Sequence, residues 1–156
     1  MSITESDLGE TTSVKIERLV AIEEIRQLCY RYAWGWDTGD LDMVLGVFTA
    51  DAVWDESEAG IEKCTGHAEI RDAFDRLRPL ISGGAMHPVT NHMIDFIDDD
   101  HATATCYFMG DARTPDGGKA SAHGAFEDRY VRREGRWRIS SRRARMLLPP
   151  ETSSLS

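Results

Sequence analysis

The sequence predicts an α+β fold: a curved antiparallel sheet with three N-terminal helices packed on its concave face. Apolar residues recur three and four apart through the first half of the chain, and the period changes to two from about residue 87. The later apolar runs are separated only by the short turns DDDH, TPDGG and EGR, which join antiparallel neighbours and leave no room for crossovers. Helices first and a meander after is the α+β order.

Taken in order, residues 1–13 read as a flexible N-terminal arm, polar and acidic and without the apolar core of a secretory signal. Ser13 is placed to cap the first helix, over 14–38, whose stripe is Leu19, Ile22, Ile25, Leu28, Cys29, Tyr32 and Trp36. Gly39 suits the stop, and Asp40 suits the N-cap of a second, short helix, LDMVLGVF. Ala52 to Trp54 is a short strand. A third helix lies within Gly66–Ser82, with Ile70, Phe74, Leu77 and Leu80 on one side, and Pro79 bends or ends it. The strands HPVTNHMIDFI, ATATCYFMGDAR, KASAHGAFEDRYVRR and WRISSRRARMLL follow. Residues 14–148 form a single domain without repeats or linkers, and 149–156 read as a loose C-terminal tail.

A chain of 156 residues holds one domain with a sizeable core. Its 41% hydrophobic and 29% charged residues are a soluble globular balance. A net charge of −9 argues against nucleic acid or an anionic membrane surface, which attract clustered Lys and Arg. No apolar run approaches the roughly 20 residues of a membrane span. Cys29, Cys64 and Cys106 are odd in number and lack any zinc spacing, so they read as reduced thiols of a cytoplasmic protein, two of them buried, with no metal site. GGAMHP and PDGG lack the pattern of a phosphate loop, and Asp98, Asp99 and Asp100 read as a turn, not a calcium loop. No cofactor is expected.

Alternation places Ala102, Ala104, Cys106, Phe108 and Gly110 on one face, with Ala120, Ala122, Gly124 and Phe126 from the next strand and Arg142, Ala144 and Met146 from the last. This face meets the helices and is poor in bulk. Either the helices approach closely, or an apolar pocket stays open beneath them. Arg142 there needs a partner or a ligand, unless a register slip turns Arg143 inward or both arginines outward. Asp37 stands in the last turn of the first helix, at the negative end of its dipole, so it is either solvated or paired with a cation. Tyr32 needs a partner for its hydroxyl, and Trp34, Trp36 and Trp54 either wall a pocket or fill core. His87 follows a Gly-Gly break at a strand mouth: idle surface, packed residue or base. His92, Ile94 and Phe96 fall on the opposite face, an apolar surface suited to a subunit contact.

Together YAWGWD, MHPVTN and GRWRISSR resemble the SnoaL-like branch of the nuclear-transport-factor-2-like superfamily over roughly residues 15–146, which implies a cone-shaped α+β fold. That group includes polyketide cyclases, scytalone dehydratase, hexachlorocyclohexane dehydrochlorinase and bile-acid 7α-dehydratase. The resemblance implies an Asp–His dyad of Asp37 and His87, with Tyr32 and Arg142 polarising a substrate oxygen and a His-x-x-x-Asn step matched by Asn91. In it His87 is the general base and Asp37 orients its ring. Trp36, Trp54, Asn91, Phe108, Gly124 and Met146 are the expected contacts to a small apolar substrate. The implied activity is a cofactor-independent dehydratase, cyclase or isomerase, forming a homodimer or homotrimer. Two alternatives stand beside it: a small-ligand-binding protein, and a structural subunit like the β-subunit of ring-hydroxylating dioxygenases with a filled cone.

Overall fold

The computed structural model describes residues 5–81 and 83–153, with side chains from residue 12. Three helices pack on a curved, unclosed eight-stranded sheet, as expected. α1 spans Glu5–Thr38. The arm expected over 1–13 is therefore helical from Glu5, and residues 1–4 lie outside the described residues. Ser13 is a mid-helix residue whose hydroxyl reaches Glu17 at 3.4 Å, not a cap. Burial begins at Ala21 and continues through Ile25, Leu28, Cys29, Tyr32 and Trp36, while Leu19 is 65% exposed.

Gly39, at φ +78°, ends α1. Asp40 caps α2 (Leu41–Gly46) by accepting the Met43 N–H at 2.9 Å. A Cβ at Gly35 would stand 2.8 Å from the Val44 side chain, so the two helices meet at bare backbone. α3 runs Gly66–Leu77 and tightens into a 3-10 turn, Arg78–Leu80, at Pro79.

The strands are β1 (Phe48–Asp55), β2 (Lys63–Thr65), β3 (Ala85–Met86), β4 (Val89–Phe96), β5 (His101–Arg113), β6 (Lys119–Arg133), β7 (Arg136–Met146) and β8 (Glu151–Ser153). Their order is β2-β1-β7-β6-β5-β3, with β4 also on β5 and β8 on β6. Pairing is antiparallel except where β1 lies parallel to β7. The tail expected to be loose returns to the sheet: Ser153 pairs with Lys119 and Glu151 with Ser121.

A bulge corrects one expected face. Thr90 pairs with Tyr107 and Met93 with Thr105, so Asn91 and His92 oppose Cys106 alone. Asn91 takes φ +57° there. The extra residue inverts the parity of β4. His92, Ile94 and Phe96 turn toward α1: Ile94 and Phe96 pack on the core, Tyr30 meets the His92 ring edge-on, and the Arg18 guanidinium lies 4.0 Å from the Phe96 centroid. Met93 faces out instead, 65% exposed. Ile94 and Phe96 thus form no subunit surface.

At the centre of the core, Asp128 and Arg142 are register partners on β6 and β7. Arg142 gives Nε to Oδ1 at 2.9 Å and Nη2 to Oδ2 at 2.7 Å, and the Tyr130 hydroxyl adds a bond to Oδ2 at 2.6 Å. Burial pushes the Asp128 carboxyl upward, and the Arg142 charge pulls against it. Losing one member strands the other charge in the core. Asp128→Ala is expected to cost roughly 3–5 kcal/mol in chemical denaturation, whereas Arg143→Ala, on the exposed face, costs less than about 1 kcal/mol.

Candidate active site

The site begins at a break in the sheet. Pro88 has no N–H for the ladder, so pairing lapses at His87 and Pro88 between β3 and β4. The Pro88 carbonyl still accepts the Met109 N–H at 3.1 Å and keeps the chain on β5. His87, released from the ladder, turns its backbone N–H to Asp37 Oδ2 at 3.1 Å, and its ring Nδ1 lies 2.5 Å from Asp37 Oδ1. Asp37 thus spends both oxygens on one residue, one fixing its backbone and one its ring. With Nδ1–H donating, Nε2 keeps a free lone pair. A Cβ at Gly110 would sit 3.1 Å from Nε2, so the ring rests where only glycine leaves room.

His87 lines a cavity of about 500 Å³ bounded by α1, β1, the turn after α3, β5, β6 and the returning tail. The small residues expected to leave space, among them Gly110, Ala120 and Ala122, line it. Trp36 and Trp54 stack at 5.8 Å, and Phe108 stacks on Phe126 at 4.3 Å. All four face the cavity. Trp34 does not: it is 62% exposed.

Tyr32 lines the cavity, but its hydroxyl is already engaged. It accepts from Trp54 Nε1 at 2.8 Å and donates to Glu56 Oε1 at 3.4 Å. Burial, with Glu56 beside it, pushes its ionisation well above the ordinary range, so it serves as a hydrogen-bonding group and not as a base.

Arg142 has the expected inward direction but not the expected role. It is fully buried, outside the cavity lining, and held by Asp128. Its guanidinium carbon lies 4.3 Å from the Tyr32 ring and 4.1 Å from that of Phe126, both of which do line the cavity. It supports the wall from behind. Three expected substrate contacts are also displaced. Asn91 is exposed on the bulge. Gly124 lies behind Phe108, where a Cβ would meet the ring at 2.9 Å and the Arg145 carbonyl at 2.2 Å. Met146 is half-buried outside the lining, with its N–H on Glu58 at 3.0 Å.

The residue that sequence reading misses is Glu56. It continues the inward parity of Ala52 and Trp54 by one more step, is 7% exposed, and lines the cavity. Burial pushes its carboxyl up to about 7, against the opposing pull of Arg142.

All three cysteines are free and buried. Cys29, Cys106 and His92 bring ligand atoms within 4.8 Å of one another. Cys29 is already bonded, with Arg142 Nη2 at 3.1 Å and the Tyr130 hydroxyl at 3.2 Å. A hydrogen bond from Cys106, reinforced by the Arg142 charge, holds the Cys29 thiol well below its ordinary range and pushes Cys106 up. A fixed cation already bonded to the Cys29 sulfur disfavours a second, metallic cation there.

The SnoaL-like domain family matches residues 17–143. A Novosphingobium aromaticivorans protein provisionally named an aromatic ring hydroxylase is 32% identical, with a TM-score of 0.77 over 83% of this chain and 90% of its own. A protein of the same organism provisionally named a scytalone dehydratase has a TM-score of 0.78 at 17% identity, over 91% and 92% of the two chains. A hexachlorocyclohexane dehydrochlorinase from Novosphingobium barchaimii has a TM-score of 0.78 at 19% identity, over 91% and 94%. The last two likenesses are of fold alone. No curated protein matches the sequence. No helix among the described residues is long and apolar enough to cross a membrane.

Because the folded carboxyl of Glu56 is raised from 4.5 to about 7, its burial weakens the fold as pH rises through that window. Glu56→Gln removes the charge and keeps the shape. In denaturant titrations the variant is expected to gain on the wild type between about pH 4.5 and 7, levelling above pH 7 at an advantage on the order of 3 kcal/mol. An advantage independent of pH would contradict the raised carboxyl.

Proposed function

We propose that this chain, which belongs to the SnoaL-like domain family, is a cofactor-independent acid–base enzyme, a dehydratase, cyclase or isomerase. Its substrate is a small apolar polycyclic or aromatic molecule, and the Asp37–His87 pair carries the proton transfer. One observation supports this above all: His87 Nδ1 and Asp37 Oδ1 are 2.5 Å apart at the wall of an open apolar cavity. Asp37 fixes the tautomer, so Nε2 is the base. It takes a proton from a carbon next to the group that leaves or migrates, the C–H electron pair forms the new double bond, and the imidazolium is stabilised by the Asp37 carboxylate. The cavity volume is that of a site for a small organic molecule, and its stacked aromatic walls suit a flat one. The relative named for aromatic ring hydroxylation agrees with such a ligand.

A structural subunit with a filled cone has no use for this cavity or for a carboxylate spent on orienting a histidine. A pure binding protein would share the cavity but not need a free imidazole nitrogen in its wall. The three free thiols fit a cytoplasmic setting. Self-association as a homodimer or homotrimer has apolar surface to use, in Val14, Ile16 and Leu19 on α1 and in Tyr107 and Met109 on β5.

Incubation with a panel of hydroxylated polycyclic compounds and aryl ketones, followed by mass spectrometry for loss of water and for deuterium uptake from heavy water, tests the reading. A turned-over compound is expected, with His87→Gln and Asp37→Asn each slowing it roughly 10²–10⁴-fold while folding as the wild type does. Turnover untouched by His87→Gln would refute the assignment.

A further inference from the structure

Glu56 is a buried carboxyl in the cavity wall to which the proton transfer gives no task. Its backbone is pinned on both sides: its N–H goes to the Glu62 carbonyl at 3.2 Å, and its own carbonyl takes the N–H groups of Ala59 and Ile61 at 3.0 and 3.2 Å. The side chain therefore leaves a fixed point. Oε1 receives the Tyr32 hydroxyl at 3.4 Å, and Oε2 has no hydrogen-bond partner among the described residues. The nearby buried cation, Arg142, gives Nε and Nη2 to Asp128, and none of its hydrogen bonds goes to Glu56. A carboxyl in an apolar wall with unused bonding capacity is costly unless something else completes it.

We propose that Glu56 is the polar anchor of the cavity and selects a ligand with an oxygen on a flat ring system, a hydroxyl or a carbonyl, over a plain or halogenated hydrocarbon. This rests on the reading of the cavity as a substrate site and narrows it to oxygenated substrates. As an acid Glu56 donates to either oxygen, and as a carboxylate it accepts only from a hydroxyl. In an elimination, His87 Nε2 takes the C–H proton and that electron pair becomes the double bond. The C–O bond breaks with its pair on oxygen, which takes the Glu56 proton and departs as water. Solvent then reprotonates Glu56 and deprotonates His87, so the net change is alcohol to alkene plus water. Chloride would leave without that proton, and this is why the anchor divides the two classes. The charged and titratable groups that act on Glu56 are Arg142 on β7, Tyr32 on α1, Asp128 on β6 and Asp55 beside it, with His87 and Glu151 lining the same cavity, and burial outweighs the pull of Arg142 to put its transition near 7.

The test is equilibrium binding of naphthalene, 2-naphthol and 2-acetylnaphthalene to the full chain at about pH 6 and pH 8, with Glu56→Leu and Glu56→Gln alongside. The wild type is expected to bind both oxygenated probes roughly tenfold more tightly than naphthalene at the lower pH. The ketone should lose its advantage at the higher pH and the naphthol keep it. Glu56→Leu should equalise the three probes. Glu56→Gln, which retains a donor and folds even if the leucine variant does not, should hold the ketone equally at both pH values. Equal affinities in the wild type, or a ketone pH dependence that survives Glu56→Gln, would overturn the anchor while leaving the cavity as a ligand site. Binding of none of the three would remove the substrate-site reading itself, and the anchor with it.

Discussion

The interior is organised around one buried ion pair. Arg142 and Asp128 face each other across β6 and β7 with two direct hydrogen bonds, and the same guanidinium contacts Cys29 on α1 and lies over the Tyr32 and Phe126 rings. A charge taken from water needs answering, and here a carboxylate, a cysteine sulfur and two aromatic faces meet it, while Nη1 keeps no hydrogen-bond partner among the described residues. The consequence reaches the cavity. The Tyr32 ring sits on this cation, its hydroxyl bridges Trp54 and Glu56, and the Phe126 ring carries Phe108. The walls are positioned by a charge that never touches the space they enclose.

The groups that could do chemistry sit where regular structure stops. Asp37 is in the last turn of α1, His87 fills the gap that Pro88 opens between β3 and β4, and Glu56 follows the end of β1. A strand or helix interior commits its backbone to its own ladder. At the gap before Pro88 a backbone N–H and a side chain are both released from the ladder, and Asp37 takes both from His87. The open space between them depends on glycine and alanine on β5 and β6, where larger residues would close the cone.

Much of this was legible in the sequence, and the failures have physical causes. Parity alone turns Ala102, Ala104, Cys106, Phe108 and Arg142 inward, and they are buried. Following the same parity one step beyond Phe126 reaches Asp128, the partner that explains Arg142, and one step beyond Trp54 reaches Glu56. The strand-mouth histidine and the helix-end acid meet because each stands out against its local pattern. The side of β4 that carries Ile94 and Phe96 is not legible, because a bulge leaves no mark in the apolar pattern yet reverses every side chain after it. The helical start of the chain and the returning strand at Glu151–Ser153 carry no apolar period, so nothing in composition announces them.

Proton transfer by His87 depends on which ring nitrogen carries the proton. Nitrogen-15 and proton NMR of the imidazole in wild type and in Asp37→Asn reads this directly. The account predicts the Nδ1–H tautomer, with a hydrogen-bonded proton far downfield that disappears in the variant, and an unprotonated Nε2. A ring carrying its proton on Nε2, or a spectrum that Asp37→Asn leaves unchanged, would contradict it.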